Sequence, residues 1–281
     1  MFTHQDIARY YDLSEVHYRL FWKLDTSRSL HYGYWDSSTK DFHEALLNIN
    51  RVLADKVSIT KDDNVLDAGC GVGGSSLWLA GFRGCQVTGI SLNEKQVQKA
   101  NAAAQQAGLQ NRVTFAQKDY LNTGYPSESF DVVWGIESVC YADDKSAFLN
   151  EASRLLRKGG RLVIADFFQA ENLPQRAAAA VKKFANSWAI NEFALESEFC
   201  RDAAAAGFCR IVSEDISQAI LPSAKRLYKA YWLGKPAAIL YRLFRGKPTS
   251  LAANNVESAL LQYTTLKKGW WKYRVISAVK A

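Results

Sequence analysis

Asp67 is followed at two-residue intervals by Gly69, Gly71 and Gly73, with Gly74 next. A carboxylate beside a run of glycines is suited to holding a small ligand against the backbone. Glycine brings no Cβ, so a ligand can approach the peptide groups closely. A helix starting just after the turn, at Ser75, would aim its free N–H groups at that ligand. Gly69, Gly71 and Gly74 also satisfy G-x-G-x-x-G, the dinucleotide-binding spacing. Asp67 weighs against that reading, because a carboxylate repels a pyrophosphate and suits an ammonium or a hydroxyl. The dinucleotide pattern also calls for an acid about twenty residues further on. Ser91 stands there instead, and Glu94 already belongs to a helix.

Two further residues could move a proton. Glu137 lies in Gly135-Ile136-Glu137-Ser138-Val139-Cys140-Tyr141-Ala142, directly after an apolar strand, at the sheet edge where α/β folds bind ligands. Burial there would raise its pKa and suit it to general-base work; a hydrogen-bonded structural carboxylate is the alternative. His31 is the second base candidate. It opens the aromatic loop His31-Tyr32-Gly33-Tyr34-Trp35-Asp36, which Tyr10 and Tyr11 extend. Aromatic faces attract cations, and ordinary core packing explains any single one of these rings equally well.

The elements that must position these groups alternate. Strands are expected at 64–68, 86–91, 113–117, 130–135 and 161–166. Helices are expected at 75–82, 93–107 (ended by Gly108) and 145–156 (ended by Gly159-Gly160). That order implies an α/β fold: a doubly wound, mostly parallel sheet with helices on both faces. Helices at 177–193 and 196–206, a sixth strand from Gly207 to Ile216 and a last strand at 272–279 complete seven strands. Before the core, residues 1–25 and 42–57 read as helices. Between the last two strands, 224–233 and 237–245 read as two amphipathic helices, each stopped by Gly-Lys-Pro at 234–236 and 246–248. The chain is therefore read as one domain: an N-terminal cap (1–58), a core (59–217), a helical lid (218–268) and the last strand (269–281).

Composition excludes several classes. With 281 residues, 48% hydrophobic and 22% charged, the chain has the make-up of a globular protein, not a disordered one. No apolar run reaches the roughly 18 residues of a membrane-spanning helix. No basic segment followed by an apolar core opens the sequence, so no signal peptide is expected. The five cysteines form no C-x-x-C; neither a disulfide framework nor a metal site is expected, and a cytoplasmic location follows. Cys85, Cys200 and Cys209 read as small buried residues. The net charge of +7 is local, since seven basic residues and no acidic one lie between Ile216 and Val256. Interleaved with helix-spaced apolar residues, they point to peripheral membrane contact through 224–247 or to an acidic acceptor, not to nucleic acid.

The segment D-A-G-C-G-V-G-G at 67–74, with Lys118-Asp119-Tyr120, Phe130-Asp131-Val132-Val133-Trp134 and Leu156-Arg157-Lys158-Gly159-Gly160-Arg161-Leu162 at later intervals, resembles the class I S-adenosylmethionine (SAM) methyltransferases. Gly89-Ile90-Ser91-Leu92 with Gln96, and the His-Tyr-Gly-Tyr-Trp loop, resemble the sterol- and tocopherol-type members. The resemblance implies SAM as cofactor, S-adenosylhomocysteine as product, and a last strand lying antiparallel between its neighbours. It implies Asp67, Gly69 and Gly71 at the methionine end, Ser91 and Gln96 at the ribose, and Asp119 and Tyr120 at the adenine. Ser91 has an equal claim as the cap of the following helix. Glu137 matches the sterol-type glutamate, and Tyr141 stands where a histidine is usual. A cyclopropane synthase, which uses a glutamate–histidine pair there, is thereby disfavoured. Glu137, His31 and Tyr141 are the catalytic candidates; Tyr10, Tyr34, Trp35, Tyr231 and Trp232 are the acceptor candidates. The function implied is methylation of a lipophilic small molecule such as a terpenoid, sterol or quinone, at carbon, with O- or N-methylation next. A nicotinamide oxidoreductase and a non-catalytic membrane-surface protein are the rivals from other classes.

Overall fold

A computed structural model of the chain describes residues 1–7, 9–12, 27–245 and 250–281, of which 233–245 and 250–257 are described by their backbone alone. Residues 4–7 and 9–12 are helical; the expected helix beyond them, with Val16, Leu20, Phe21 and Leu24, lies outside the described residues. Helix α1 (Phe42–Lys56) is capped by Asp41, whose side chain accepts from the Glu44 amide. The core then alternates: β1 (Asn64–Ala68), α2 (Gly74–Trp78), β2 (Gln86–Ser91), α3 (Glu94–Gln106), β3 (Val113–Gln117), β4 (Phe130–Ile136), α4 (Lys145–Leu155), β5 (Leu156–Gln169), α5 (Gln175–Ser187), β6 (Ala194–Leu195), α6 (Glu196–Ala205) and β7 (Phe208–Asp215). Helices α7 (Ser217–Arg245) and α8 (Ser250–Lys267) precede β8 (Trp271–Lys280).

The sheet order is β3-β2-β1-β4-β5-β8-β7, with the two-residue β6 beside β5. The strands from β3 to β5 are parallel, and β8 is antiparallel to both β5 and β7. This is the doubly wound sheet expected, its last strand inserted between neighbours. Chain order reverses between β1 and β4, and the crevice beyond the carboxyl ends of those strands is where such sheets bind ligands.

Four expectations need correction. Helix α7 runs unbroken through Gly234-Lys235-Pro236. An interior proline costs about 3 kcal/mol, and helical residues on both sides outweigh it; the second Gly-Lys-Pro falls outside the described residues. The helix expected over 177–193 ends at Ser187, because Asn186 Nδ2 donates to the Ile190 and Asn191 carbonyls and turns the chain inward. Strand β5 starts at Leu156, with a register shift against β4 that takes up the Gly159 turn (φ +75°). Of the cysteines read as buried, Cys85 is, Cys200 is partly so, and Cys209 is exposed on edge strand β7.

One face of the sheet carries an aromatic cluster centred on Phe167. Its ring lies 5.2 Å from Phe193, 5.3 Å from Tyr273, 5.4 Å from Trp271, 5.7 Å from Trp188 and 6.0 Å from Tyr32. Such pairs contribute beyond their buried area, and they fix the loop at 31–36 against the sheet. Phe167→Ala should destabilise the chain by about 3–5 kcal/mol in denaturant unfolding, well beyond the cost of the same change at exposed Phe82.

Candidate active site

The glycine turn is shaped by two backbone bonds: the Gly69 and Cys70 amides both donate to the Ile90 carbonyl, at 3.0 and 2.9 Å. Gly69 has φ +99°, and a Cβ there would stand 2.4 Å from the Ser138 Cβ. Ser138 in turn donates to the Ala68 carbonyl at 2.6 Å, so β4 and β1 close on each other at this point. Gly71 differs. Its φ is +54°, and a Cβ there would meet nothing within 4 Å, because it would project into a cleft. Gly69, Asp67, Ser91, Gln96, Tyr120 and Glu137 line the same cleft.

Asp67 lines the cleft from beneath. It is buried, and its Oδ2 accepts from Ser76 Oγ of α2 at 2.5 Å. Burial lifts its carboxyl to about 6, against the pull of the Ser76 hydroxyl. Ser91 and Gln96 face the cleft together, Ser91 Oγ donating to Gln96 Oε1 at 2.9 Å. The cap of α3 is Asn93, which accepts from the Gln96 amide; Ser91 accepts from the Asn93 amide instead. Tyr120 lines the cleft, held by its hydroxyl on the Ser138 carbonyl at 3.0 Å. Asp119 is not among the lining residues. Its carboxylate accepts from the Leu121 amide at 2.8 Å and sits 3.7 Å from His4 Nδ1.

Glu137, His31 and Tyr141 all reach the cleft. Glu137 sits just past β4 with φ +48°, a conformation that costs a non-glycine residue of order 1–3 kcal/mol. Its Oε1 accepts from the Tyr32 amide at 2.6 Å and from the Tyr273 hydroxyl at 2.8 Å. Burial pushes its carboxyl up to about 8, against those two bonds and with the Asp166 charge adding to the rise. His31 is buried, and burial presses its pKa down to about 4, so it is neutral at pH 7. Nδ1 lies 2.9 Å from the Tyr32 carbonyl; donation there leaves Nε2 as the basic nitrogen. Tyr141 accepts from Tyr11 and donates to the Trp188 carbonyl, both at 3.1 Å.

The acceptor candidates are not brought together. Tyr10 is buried and packs edge-on against Tyr11 at 5.6 Å. Tyr34 and Trp35 turn toward α1 and α7: the Tyr34 amide donates to the Ala45 carbonyl, and Trp35 Nε1 donates to Ser223 Oγ at 2.8 Å. Tyr231 and Trp232 pair with each other at 5.2 Å on α7, and neither lines the cleft. Tyr11, Ile7, Arg28, Ser29 and Ser138 do line it. Ser138 was legible as Glu137's neighbour; Arg28 and Ser29 carry no sequence signal, because their approach to Gly74 is a tertiary contact.

A family model described as "Methyltransferase domain" matches residues 59–229. The chain belongs to that family. Similar proteins include the 27-O-demethylrifamycin SV methyltransferase of Amycolatopsis mediterranei, 40% identical over 139 residues, 50% of this chain and 51% of that protein. A probable chloroplastic tocopherol O-methyltransferase of Oryza sativa subsp. japonica is 26% identical over 98% of this chain and 78% of that one. The chain thus spans about half the length of the first relative. In structure, the geranyl diphosphate C-methyltransferase of Streptomyces coelicolor A3(2), solved with Mg²⁺, geranyl diphosphate and S-adenosylhomocysteine, aligns at TM-score 0.74 over 99% of this chain and 97% of that one. At 21% identity it speaks for the fold.

SAM is the donor this methyltransferase family uses, and the residue types at the cleft suit its chemistry. A glycine opens onto the space, a buried carboxylate backs it, and Ser91 and Gln96 offer hydroxyl partners. Both raised carboxyls also affect stability. The folded state holds protons that the unfolded chain releases at ordinary carboxylate values, so the contribution of these two groups is greatest at low pH and falls as pH rises. The Asp67 part is lost through about 6 and the Glu137 part through about 8. In Glu137→Gln, whose amide oxygen can still accept both bonds, the decline in urea midpoint between about pH 6.5 and 8.5 should largely vanish.

Proposed function

We propose that the chain is a SAM-dependent methyltransferase of a lipophilic small molecule, acting at carbon. The observation that carries this reading is the open face of Gly71 above buried Asp67, on a chain whose residues 59–229 match the methyltransferase domain. When bound, SAM supplies an electrophilic methyl group on a cationic sulfonium. Asp67 would hold the ammonium of its amino-acid end, and that cation would in turn favour the charged carboxylate. Ser91 and Gln96 would hold the ribose hydroxyls, and Tyr120 would border the adenine. Ile7 and Tyr11 would exclude water over the cleft. Methylation of a carbon, a hydroxyl or an N–H acceptor releases a proton. Glu137, which faces the cleft with its carboxyl raised to about 8, is suited to take that proton, whereas burial makes His31 a weak base; methylation at carbon follows the sterol-type pattern of Glu137, Ser91 and Gln96. Single-domain organisation, with 1–58 as a cap and 218–268 as a lid, belongs to the same proposal.

Calorimetry separates this from an oxidoreductase. S-adenosylhomocysteine should bind and NAD and NADP should not; binding of a nicotinamide cofactor alone would sink the reading. Asp67→Asn should weaken S-adenosylhomocysteine binding by about 1.5–3 kcal/mol with the far-ultraviolet spectrum kept, since the amide can still accept from Ser76.

A second part of the proposal concerns α7, and one observation favours it. Leu227 is buried in the core and Arg226 lies 4.3 Å over the Phe42 ring, so neither faces a lipid. Lys225, Lys229 and Trp232 are exposed, at helical spacing along one stripe. We propose that this stripe rests on an anionic membrane, each basic residue contributing on the order of 1 kcal/mol. The other expected lid contacts, Ile239, Leu240, Leu243, Phe244, Arg242 and Arg245, fall among side chains outside the described set. Phosphatidylserine vesicles should bind the chain in a salt-sensitive manner, and Lys225→Gln with Lys229→Gln should weaken that binding. Equal affinity of the double variant would assign the stripe to solvent.

A further inference from the structure

Tyr273 lies on β8, far in sequence from any motif of the cleft, and is fully buried. Its amide donates to Ser217 Oγ at the start of α7, and its ring stands edge-on to Tyr32 at 5.9 Å and to Phe167 at 5.3 Å. That packing leaves the phenol one direction, toward Glu137. Both donors to Glu137, the Tyr273 hydroxyl and the Tyr32 amide, converge on the same oxygen, Oε1. Glu137 nevertheless lines the cleft.

We propose that Tyr273 is a positioning residue: with the Tyr32 amide it pins Oε1 of Glu137, and so presents Oε2 to the cleft as the oxygen that accepts the acceptor's proton. The geometry explains why a glutamate occupies a left-handed backbone position. The carboxylate must reach back over β5 to a phenol on the inserted antiparallel strand, and both anchors lie on that side. It also links the last strand to the chemistry, because a shift of β8 against β5 would move the phenol and release the carboxylate. A phenol donor stabilises the charged carboxylate more than the neutral acid. Tyr273 therefore keeps Glu137 ionisable where burial and the nearby Asp166 charge oppose it. The titratable groups facing Glu137 are Tyr32 from the aromatic loop, Tyr273 from β8, Asp166 from β5, Cys140 from the turn after β4 and Tyr11 at the cleft.

This inference rests on the reading of Glu137 as the base, but its test does not need an acceptor. Full-length chain labelled with ¹³C at the glutamate carboxyl would be titrated by NMR, and the Glu137 signal identified by its loss in Glu137→Gln. Tyr273→Phe should move the Glu137 midpoint up by roughly half to one pH unit. Site-specific 3-fluorotyrosine at 273, a stronger donor of the same shape, should move it down, which a merely structural ring would not do. If Tyr273→Phe fails to fold, the fluorotyrosine arm decides alone. An unmoved midpoint in a folded variant, or in the fluorotyrosine protein, overturns the proposal. Binding of S-adenosylhomocysteine by the unaltered chain tests the methyltransferase reading separately, so the two can fail independently.

Discussion

Three distant stretches of chain meet at Tyr32. Its amide donates to Glu137 beyond β4, its carbonyl receives His31 Nδ1, and its hydroxyl donates to Gln262 Oε1 on α8 at 2.6 Å. Gln262 is itself fully buried and spends its amide nitrogen on the Ala224 and Ala259 carbonyls. A buried polar chain of this kind holds only if every member is satisfied, because one missing partner leaves a desolvated group at a cost of about 1–3 kcal/mol. The placement of both base candidates thus depends on a residue that performs no chemistry. Through it the inserted helices support the cleft, which none of their described side chains lines.

The nucleotide-binding half was legible because its signals are local. Asp67 and the glycines fall within one strand-turn-helix unit, and the alternation of apolar strands with capped helices implies a parallel sheet before any contact is known. Glu137 was legible for the same reason, as the first polar residue past a buried strand. What local pattern could not supply was the destination of the aromatic residues. His31, Tyr34 and Trp35 share one short loop yet diverge, His31 to the cleft and Trp35 to Ser223, since a loop's facing is set by what packs on it. Helix ends differ from the sequence pattern where tertiary contacts override a stop signal, as at Pro236, or impose one, as at Asn186. Tyr273 was invisible, being one aromatic among many on a strand.

Asp67 and Glu137 show how one physical effect serves two ends. Burial raises both carboxyls, and each is checked by hydroxyl donors: Ser76 for Asp67, Tyr273 for Glu137. In the proposed function the first faces the ammonium of the donor, which would restore its charge. The second has no cation paired with it among the described residues, and burial holds it near 8, as the proposed role of proton acceptor requires.

The place of β8 in the sheet has a consequence for how the molecule assembles. Arg161 pairs with Val279 and Gln169 with Trp271, so β5 finds its partner across more than a hundred intervening residues. Contacts of such separation form slowly, because a long loop must close before they stabilise anything. During synthesis β5 therefore waits with one edge bare, and bare edges recruit other chains. The nascent protein is most exposed to self-association in the interval when β1 to β5 are already made but the strand carrying Tyr273 has not arrived.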